Sequence, residues 1–252
     1  MNIKEIEEIL RQVEKPGRYI GGEWNEIKKD PARVKLKIAL VFPDIYEIGM
    51  SYLGQKILYH LLNQHPLFLA ERVFAPWFDF AQQLRAKKIP LYSLENKIPL
   101  KDFDLIGFSL LYELNYTNIL SILDLGHIPL FSKERGLNYP LVIAGGPAAF
   151  NPEPVADIFD LFLIGDGEEA FLEIAEKFEK LRREVREKTS LLKDMVTIKG
   201  VYVPCLYSPC QPSGSFLLAV KTKGKAPAKI KKKVVSSFSE SQFPERIIVP
   251  NL

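Results

Sequence analysis

The side chains that could do chemistry in this sequence lie at four places, each at or just after the end of a short apolar run. The first is Pro43-Asp44-Ile45-Tyr46-Glu47-Ile48-Gly49-Met50-Ser51 and the second Ser109-Leu110-Leu111. The third is Gly145-Gly146-Pro147 and the fourth Gly165-Asp166-Gly167-Glu168-Glu169. Small and polar residues of this kind let backbone approach a ligand closely and offer it N–H groups, hydroxyls and carboxylates. The same glycines also serve ordinary strand-to-helix turns. Gly167-Glu168-Glu169 suits the first turn of a helix, where acids complement the dipole.

Other chemistries lack their residues. No Gly-x-Gly-x-x-Gly follows the first apolar run and no Gly-rich loop ends in Lys-Ser or Lys-Thr, so dinucleotide and P-loop sites have no support. Cys205 and Cys210, the two cysteines, are too few for a disulfide framework or a four-ligand metal site. His60, His65 and His127 are scattered, with no third ligand beside the first two. Ser51 and Ser109 have no His–Asp pattern near them, so hydrolase chemistry is not expected. Lys221, Lys223, Lys225, Lys229, Lys231, Lys232 and Lys233 form a strip that could meet RNA phosphates. The aromatics beside it, Phe216 and Phe238, are too few for a stacking platform, and a solvated hairpin face is the simpler reading. A net charge of +3 adds nothing in favour of nucleic acid. Neither a catalytic side chain nor a metal ligand is assigned.

The four places need a scaffold, and the apolar pattern supplies one. Ile38–Phe42, Arg72–Phe74, Leu105–Leu110, Leu141–Ala144 and Leu161–Ile164 read as strands. Helical segments alternate with them: Ser51–Asn63, Trp77–Lys88, Leu114–Gly126, Val155–Phe159 and Glu168 to about Lys188. That rhythm predicts an α/β fold, a flavodoxin-like doubly wound five-stranded parallel sheet over residues 35–188. Residues 1–34 form a helical N-terminal lead-in, its helix marked by Ile3, Ile6, Ile9, Leu10 and Val13 and ended by Lys15-Pro16-Gly17. Residues 189–252 form a small β-rich C-terminal extension, with short strands expected at Val196–Val203, Phe216–Lys221 and Lys229–Val235. The apolar finish Phe243–Leu252 reads as a lead into a further segment. The acidic, helical opening residues carry no signal-peptide pattern and no run approaches a membrane span, so a cytoplasmic location is the expectation. In such sheets ligands bind outside the carboxyl ends of the strands, which is where all four places fall.

Taken in order, the four places resemble the cobalamin-binding domains of this fold. Those carry Asp-x-His-x-x-Gly after the first strand, Ser-x-Leu after the third and Gly-Gly after the fourth. Here the set reads Asp44-x-Tyr46-x-x-Gly49, Ser109-x-Leu111 and Gly145-Gly146. The continuation through Pro152-Glu153-Pro154 to Gly165-Asp166-Gly167-Glu168 is similar to the cobalamin-binding domains that precede radical-SAM cores. The opening Lys15–Glu23 and the closing Val249–Leu252 look like one uncharacterised radical-SAM subfamily.

The resemblance implies an accessory cobalamin-binding domain of a radical SAM protein. Asp44, Tyr46 and Gly49 would line the lower cobalt face, and Ser109 and Leu111 would border the pocket for the nucleotide tail. Gly145 and Gly146 would pass close to that tail, and Gly165, Asp166, Gly167 and Glu168 would close the rim. Tyr46 stands where the family has a ligating His. A phenol with a pKa of about 10 must lose a proton before it binds metal, and Asp44 beside it opposes that loss. Cobalamin would therefore bind His-off. Alternatively, Tyr46 is an aromatic packed under the rim, and the domain is a cofactor-free module that docks substrate or a partner protein. The Cys-x-x-x-Cys-x-x-Cys run that holds a [4Fe–4S] cluster for S-adenosylmethionine is absent, and Cys205–Cys210 does not replace it. The cluster and S-adenosylmethionine would come through a radical SAM core, of the same gene or an adjacent chain, as the expected partner.

Overall fold

The computed structural model describes residues 3–210, 219–235, 243–244 and 246–249. In chain order it runs α1 (Ile3–Leu10), α2 (Gly17–Ile20), β1 (Leu36–Phe42), α3 (Tyr46–Gly49), α4 (Leu53–Gln64), β2 (Phe68–Phe74) and α5 (Phe78–Lys87). There follow β3 (Leu105–Ser109), α6 (Tyr116–Leu125), β4 (Leu141–Gly145), β5 (Leu161–Leu163), α7 (Glu168–Leu181), α8 (Lys188–Met195), β6 (Val201–Tyr202), β7 (Tyr207–Cys210) and β8 (Ala219–Thr222). The main sheet has six strands in the order β2-β1-β3-β4-β5-β6. All neighbours pair in parallel except β6, which is antiparallel to β5.

The strands are largely apolar because both faces of the sheet are covered. Ala39, Val41, Ile106, Phe108, Val142 and Ala144 point to one face, where they meet Ile6 and Ile9 of α1, Phe80 and Leu84 of α5 and Ile119 and Ile122 of α6. Leu36, Ile38, Leu40, Leu105, Ile143 and Leu163 point to the other, under Tyr59 and Leu62 of α4, Phe171 and Ile174 of α7 and Leu191 of α8.

Several elements differ from the sequence expectation. β2 starts at Phe68 rather than Arg72, because Glu71 and Arg72 break the apolar pattern although both are fully buried. Each is satisfied by groups from elsewhere in the chain. Glu71 accepts from Ser93 Oγ at 2.5 Å and from the Asn96 side chain, and Arg72 Nε meets Glu95 at 2.7 Å. The outer edge of β2 is closed by the same neighbours. Leu94 N donates to Arg72 O at 2.9 Å, Arg72 N donates to Glu95 at 2.9 Å, and the Asn63 amide pairs both ways with Ala70. An edge strand capped this way offers no free ladder to another chain.

Val155–Phe159 is not an α-helix; short 3-10 turns at Pro147–Phe150 and Glu153–Val155 fill that connection. The helix that begins at Glu168 ends at Leu181, and α8 begins at Lys188. Of Val196–Val203, only Val201–Tyr202 forms a strand, and it extends the main sheet. Lys229–Val235 is no strand; it touches the sheet through one bridge, Gly165 to Lys233. β8 begins at Ala219; Phe216, Phe238 and the closing Pro250–Leu252 lie outside the described residues. Lys15-Pro16-Gly17 leads into α2 rather than a turn, and Tyr19 from it stacks on Phe80 with ring centroids 3.9 Å apart. Among the described residues no helix is long and apolar enough to cross a membrane.

Candidate functional site at the carboxyl ends of the strands

The chain leaves β1 for β2 on one side and returns to β3 on the other, so the strand order reverses between β1 and β3. Loops diverge at such a point and leave a crevice at the carboxyl ends. Here a groove of about 460 Å³ lies over β1, β3, β4 and β5 between α4 and α7. Its size is that of a small-molecule site, for which roughly 300–1,000 Å³ is usual. Leu40, Gly107, Ile143 and Leu163 make the floor, and Gln55, Leu58 and Phe171 the helical walls. Tyr52, Phe150 and Lys232 stand at the mouth.

Ser109, Gly145, Gly146, Gly165, Asp166, Gly167 and Glu168 all line this groove. The glycines do different work. Gly146 has φ +109, and a Cβ there would lie 2.6 Å from Leu110 O. Gly165 has φ +110 and packs against the backbone of Lys233. These two positions exclude a side chain on backbone grounds. Gly145 has neither constraint: the nearest atom to a Cβ would be 3.8 Å away. What its missing side chain leaves free is groove.

The far side of the groove is pinned by residues 229–235. Lys233 N donates to Ile164 O at 2.9 Å, Asp166 N to Lys233 O at 3.1 Å, and Val235 N to Asp166 Oδ2 at 2.9 Å. Lys233 Nζ meets Glu169 at 3.1 Å. One carboxylate oxygen of Asp166 thus holds the chain, and Lys232 is carried to the mouth. Lys221, Lys223, Lys225, Lys229, Lys231 and Lys232 are exposed.

Asp44, Tyr46, Gly49 and Leu111 are not in the groove. They sit beside it, where Tyr46 and Leu111 pack on Phe42, Phe74 and Leu94 and Gly49 lies against the Phe74 and Phe42 rings. Asp44 accepts from Ile45 N at 2.8 Å and from Tyr112 OH at 3.1 Å. The Tyr46 hydroxyl donates to Glu23, which also meets Arg72, and its ring stands edge-on to Phe74 at 5.4 Å. Burial first, and the Glu23 carboxylate second, push the Tyr46 phenol above its ordinary range. A Cβ on Gly49 would run into the Phe74 ring. Leu111 is half-buried against the same aromatics.

Gln55, Gly107 and Phe171 escaped the sequence reading, and Lys232 entered it only as part of the lysine strip. A glycine inside the apolar run of β3 was a usable signal, since such glycines mark a close approach. Here the ring of Phe171 takes the space, 2.7 Å from where a Cβ would be. Cys205 is exposed and Cys210 half-buried, both free, and no group of metal-ligating side chains occurs among the described residues.

Residues 54–204 match the model of the family described as radical SAM proteins, N-terminal. The chain belongs to that family. The chain is 27% identical over 132 residues to the uncharacterized protein MJ0966 of Methanocaldococcus jannaschii, a match that covers 51% of this chain and 23% of that protein. Among solved structures it is similar to TsrM, a radical S-adenosylmethionine methyltransferase from Kitasatospora setae. That structure was solved with tryptophan substrate and a SAM analogue bound. The likeness has a TM-score of 0.42 and 16% identity, over 66% of this chain and 28% of that one. The chain therefore spans about a quarter of the length of these two proteins.

Proposed function

We propose that this chain is a cobalamin-binding accessory domain of a radical SAM protein, and that the groove takes the nucleotide tail of the cofactor. The observation that carries the reading is the groove over the paired strand ends at Ser109 and Gly145-Gly146, an apolar slot that the missing side chain of Gly145 leaves free. The strand order 2-1-3-4-5 within the parallel part supports the flavodoxin-like reading of residues 35–188, which borrow β6 from the extension. Cobalamin, when bound, supplies a cobalt centre that carries alkyl groups.

The residues present fit the tail of this cofactor and do not fit His-type ligation. The groove is apolar, with few polar groups, as a slot for a flat base requires. Tyr46 has its hydroxyl on Glu23 and stays a neutral phenol, so it gives cobalt no ligand and the cofactor sits His-off. Asp44, Tyr46, Gly49 and Leu111 then act as a shelf under the corrin. Ser109, Gly145, Gly146 and Gly165 to Glu168 hold the tail. The segments that follow the strands keep several exposed apolar side chains, Leu53, Trp77, Phe78, Leu114 and Phe150, the last of them in the groove lining. This collar favours docking of the rim as well, and the radical SAM core is the partner we assign to it.

The test is titration with hydroxocobalamin, followed by gel filtration and the visible spectrum. The expected result is stoichiometric retention, kept in Tyr46→Phe and lost in Gly145→Trp, which fills the slot without backbone strain. No retention by a protein shown to be folded would sink the cofactor reading and leave docking.

A further inference from the structure

Gln55 is the least expected residue of the groove. It lies in the first turn of α4, is 2% exposed, and still contributes to the groove wall. Its Nε2 donates to Leu40 O at 3.0 Å. A backbone carbonyl cannot donate, so the amide has one possible orientation. Its Oε1 is the free end, and it has no protein partner among the described residues. That oxygen is not sealed from solvent in the free protein, so a ligand that covers it must supply an N–H or leave it unpaired, which is costly.

The other polar groups refine the demand. Asp166 and Glu168 at the mouth are further acceptors, with one oxygen of Asp166 already taken by Val235 N. Ser109 has no side-chain partner among the described residues, and its hydroxyl can donate or accept. Lys232 is the cation at the mouth, and Tyr52 brings a phenol. The groove thus has a fixed acceptor on its α4 wall and an adaptable hydroxyl at the end of β3.

Resting on the cofactor reading above, we infer that the groove selects a tail whose flat base bears an exocyclic amine, an aminopurine, over a dimethylbenzimidazole. The chemistry separates the two bases. A glycosylated dimethylbenzimidazole has one ring nitrogen, an acceptor, and otherwise presents carbon. It can take the Ser109 hydroxyl but leaves Gln55 Oε1 desolvated and unpaired. An adenine offers a ring nitrogen to Ser109 and an amine to Gln55 Oε1. Gln55 is therefore a specificity residue, whereas Ser109 serves either base.

The experiment compares three corrinoids on the full chain by titration: one with a dimethylbenzimidazole tail, one with an adenine tail, and cobinamide, which has no nucleotide. The adenine-tailed form is expected to bind roughly tenfold tighter than the benzimidazole form, the worth of one hydrogen bond to a buried acceptor. Gln55→Met is expected to bring that ratio near one, and Ser109→Ala to weaken both forms while preserving it. Should Gln55→Met fail to fold, the wild-type ratio decides alone. Equal or tighter binding of the benzimidazole form overturns the inference and leaves the cofactor reading standing. If no corrinoid binds, the cofactor reading fails, and adenosine monophosphate is then titrated against benzimidazole riboside monophosphate. Preference for the adenosine form upholds the choice of base; no preference, or no binding, overturns it.

Discussion

The two halves of the rim are built from similar residues and behave in opposite ways. Over β1 and β2, Asp44, Tyr46 and Gly49 turn inward. The carboxylate takes Ile45 N and Tyr112, the phenol takes Glu23, and the Phe74 ring fills the space beside the glycine. Over β3, β4 and β5, Ser109 and Gly145 turn toward open space, with Phe171 and Leu58 held back on their helices. The closed half is tied to Arg72, a cation buried among Glu23 and Glu95 and 5.1 Å from the Tyr59 ring centroid. The open half has no such charge at its centre. Polar groups with partners nearby close a site, and glycines without them keep one open.

The largest effect that can test this contrast is on stability. Arg72→Met leaves Glu23 and Glu95 buried without their cation and is expected to cost about 3–5 kcal/mol, read by denaturant unfolding. A loss below about 1 kcal/mol would show that the closed half does not depend on its ion pairs. Gly146→Ala puts a Cβ against Leu110 at a positive φ and should cost about 1–3 kcal/mol. Gly145→Ala next to it should stay within about 0.5 kcal/mol while weakening ligand retention. Equal costs at the two positions would erase the distinction drawn between them.

Tyr46→Phe should cost about 1 kcal/mol near neutral pH, since one hydrogen bond is lost while Glu23 keeps Arg72. Its pH dependence sharpens the point. The folded phenol lies above its ordinary value of 10.0, so its stabilisation is present below that pH and fades as pH rises beyond it. Wild type should therefore lose stability more steeply than Tyr46→Phe above pH 10; parallel curves would detach Tyr46 from the cluster. The smallest effect is expected at the collar. Phe78→Ser and Leu114→Ser, at 80% and 83% exposed, should leave unfolding within about 0.5 kcal/mol of wild type. A large loss in either would mean that the side chain packs on the domain itself rather than facing outward.

Much of this arrangement was legible in the sequence. The continuous apolar runs of β1, β3 and β4 and the long periodic helices α4, α5 and α7 were visible because burial on both faces leaves an unbroken pattern. Glu71 and Arg72 hid most of β2, since their partners Ser93, Glu95, Asn96 and Glu23 are distant in the chain and a buried ion pair has no local signature. Gln55 was illegible for a related reason: its meaning lies in the carbonyl of Leu40. Lys232 read as part of a solvated strip, and its position at the groove mouth depends on the bridge between Gly165 and Lys233.

By itself, the sequence determined the layered α/β scaffold, the rim where small and polar residues collect, and the order of the motifs along it. Those properties follow from hydrophobic period and local turn chemistry, which act over a few residues. Only the tertiary structure decided which half of the rim is open, that Tyr46 faces Glu23, and that an amide oxygen stands free in the slot. Each of these outcomes depends on whether a partner from elsewhere in the chain arrives within hydrogen-bond distance, and spacing along the sequence carries no record of that.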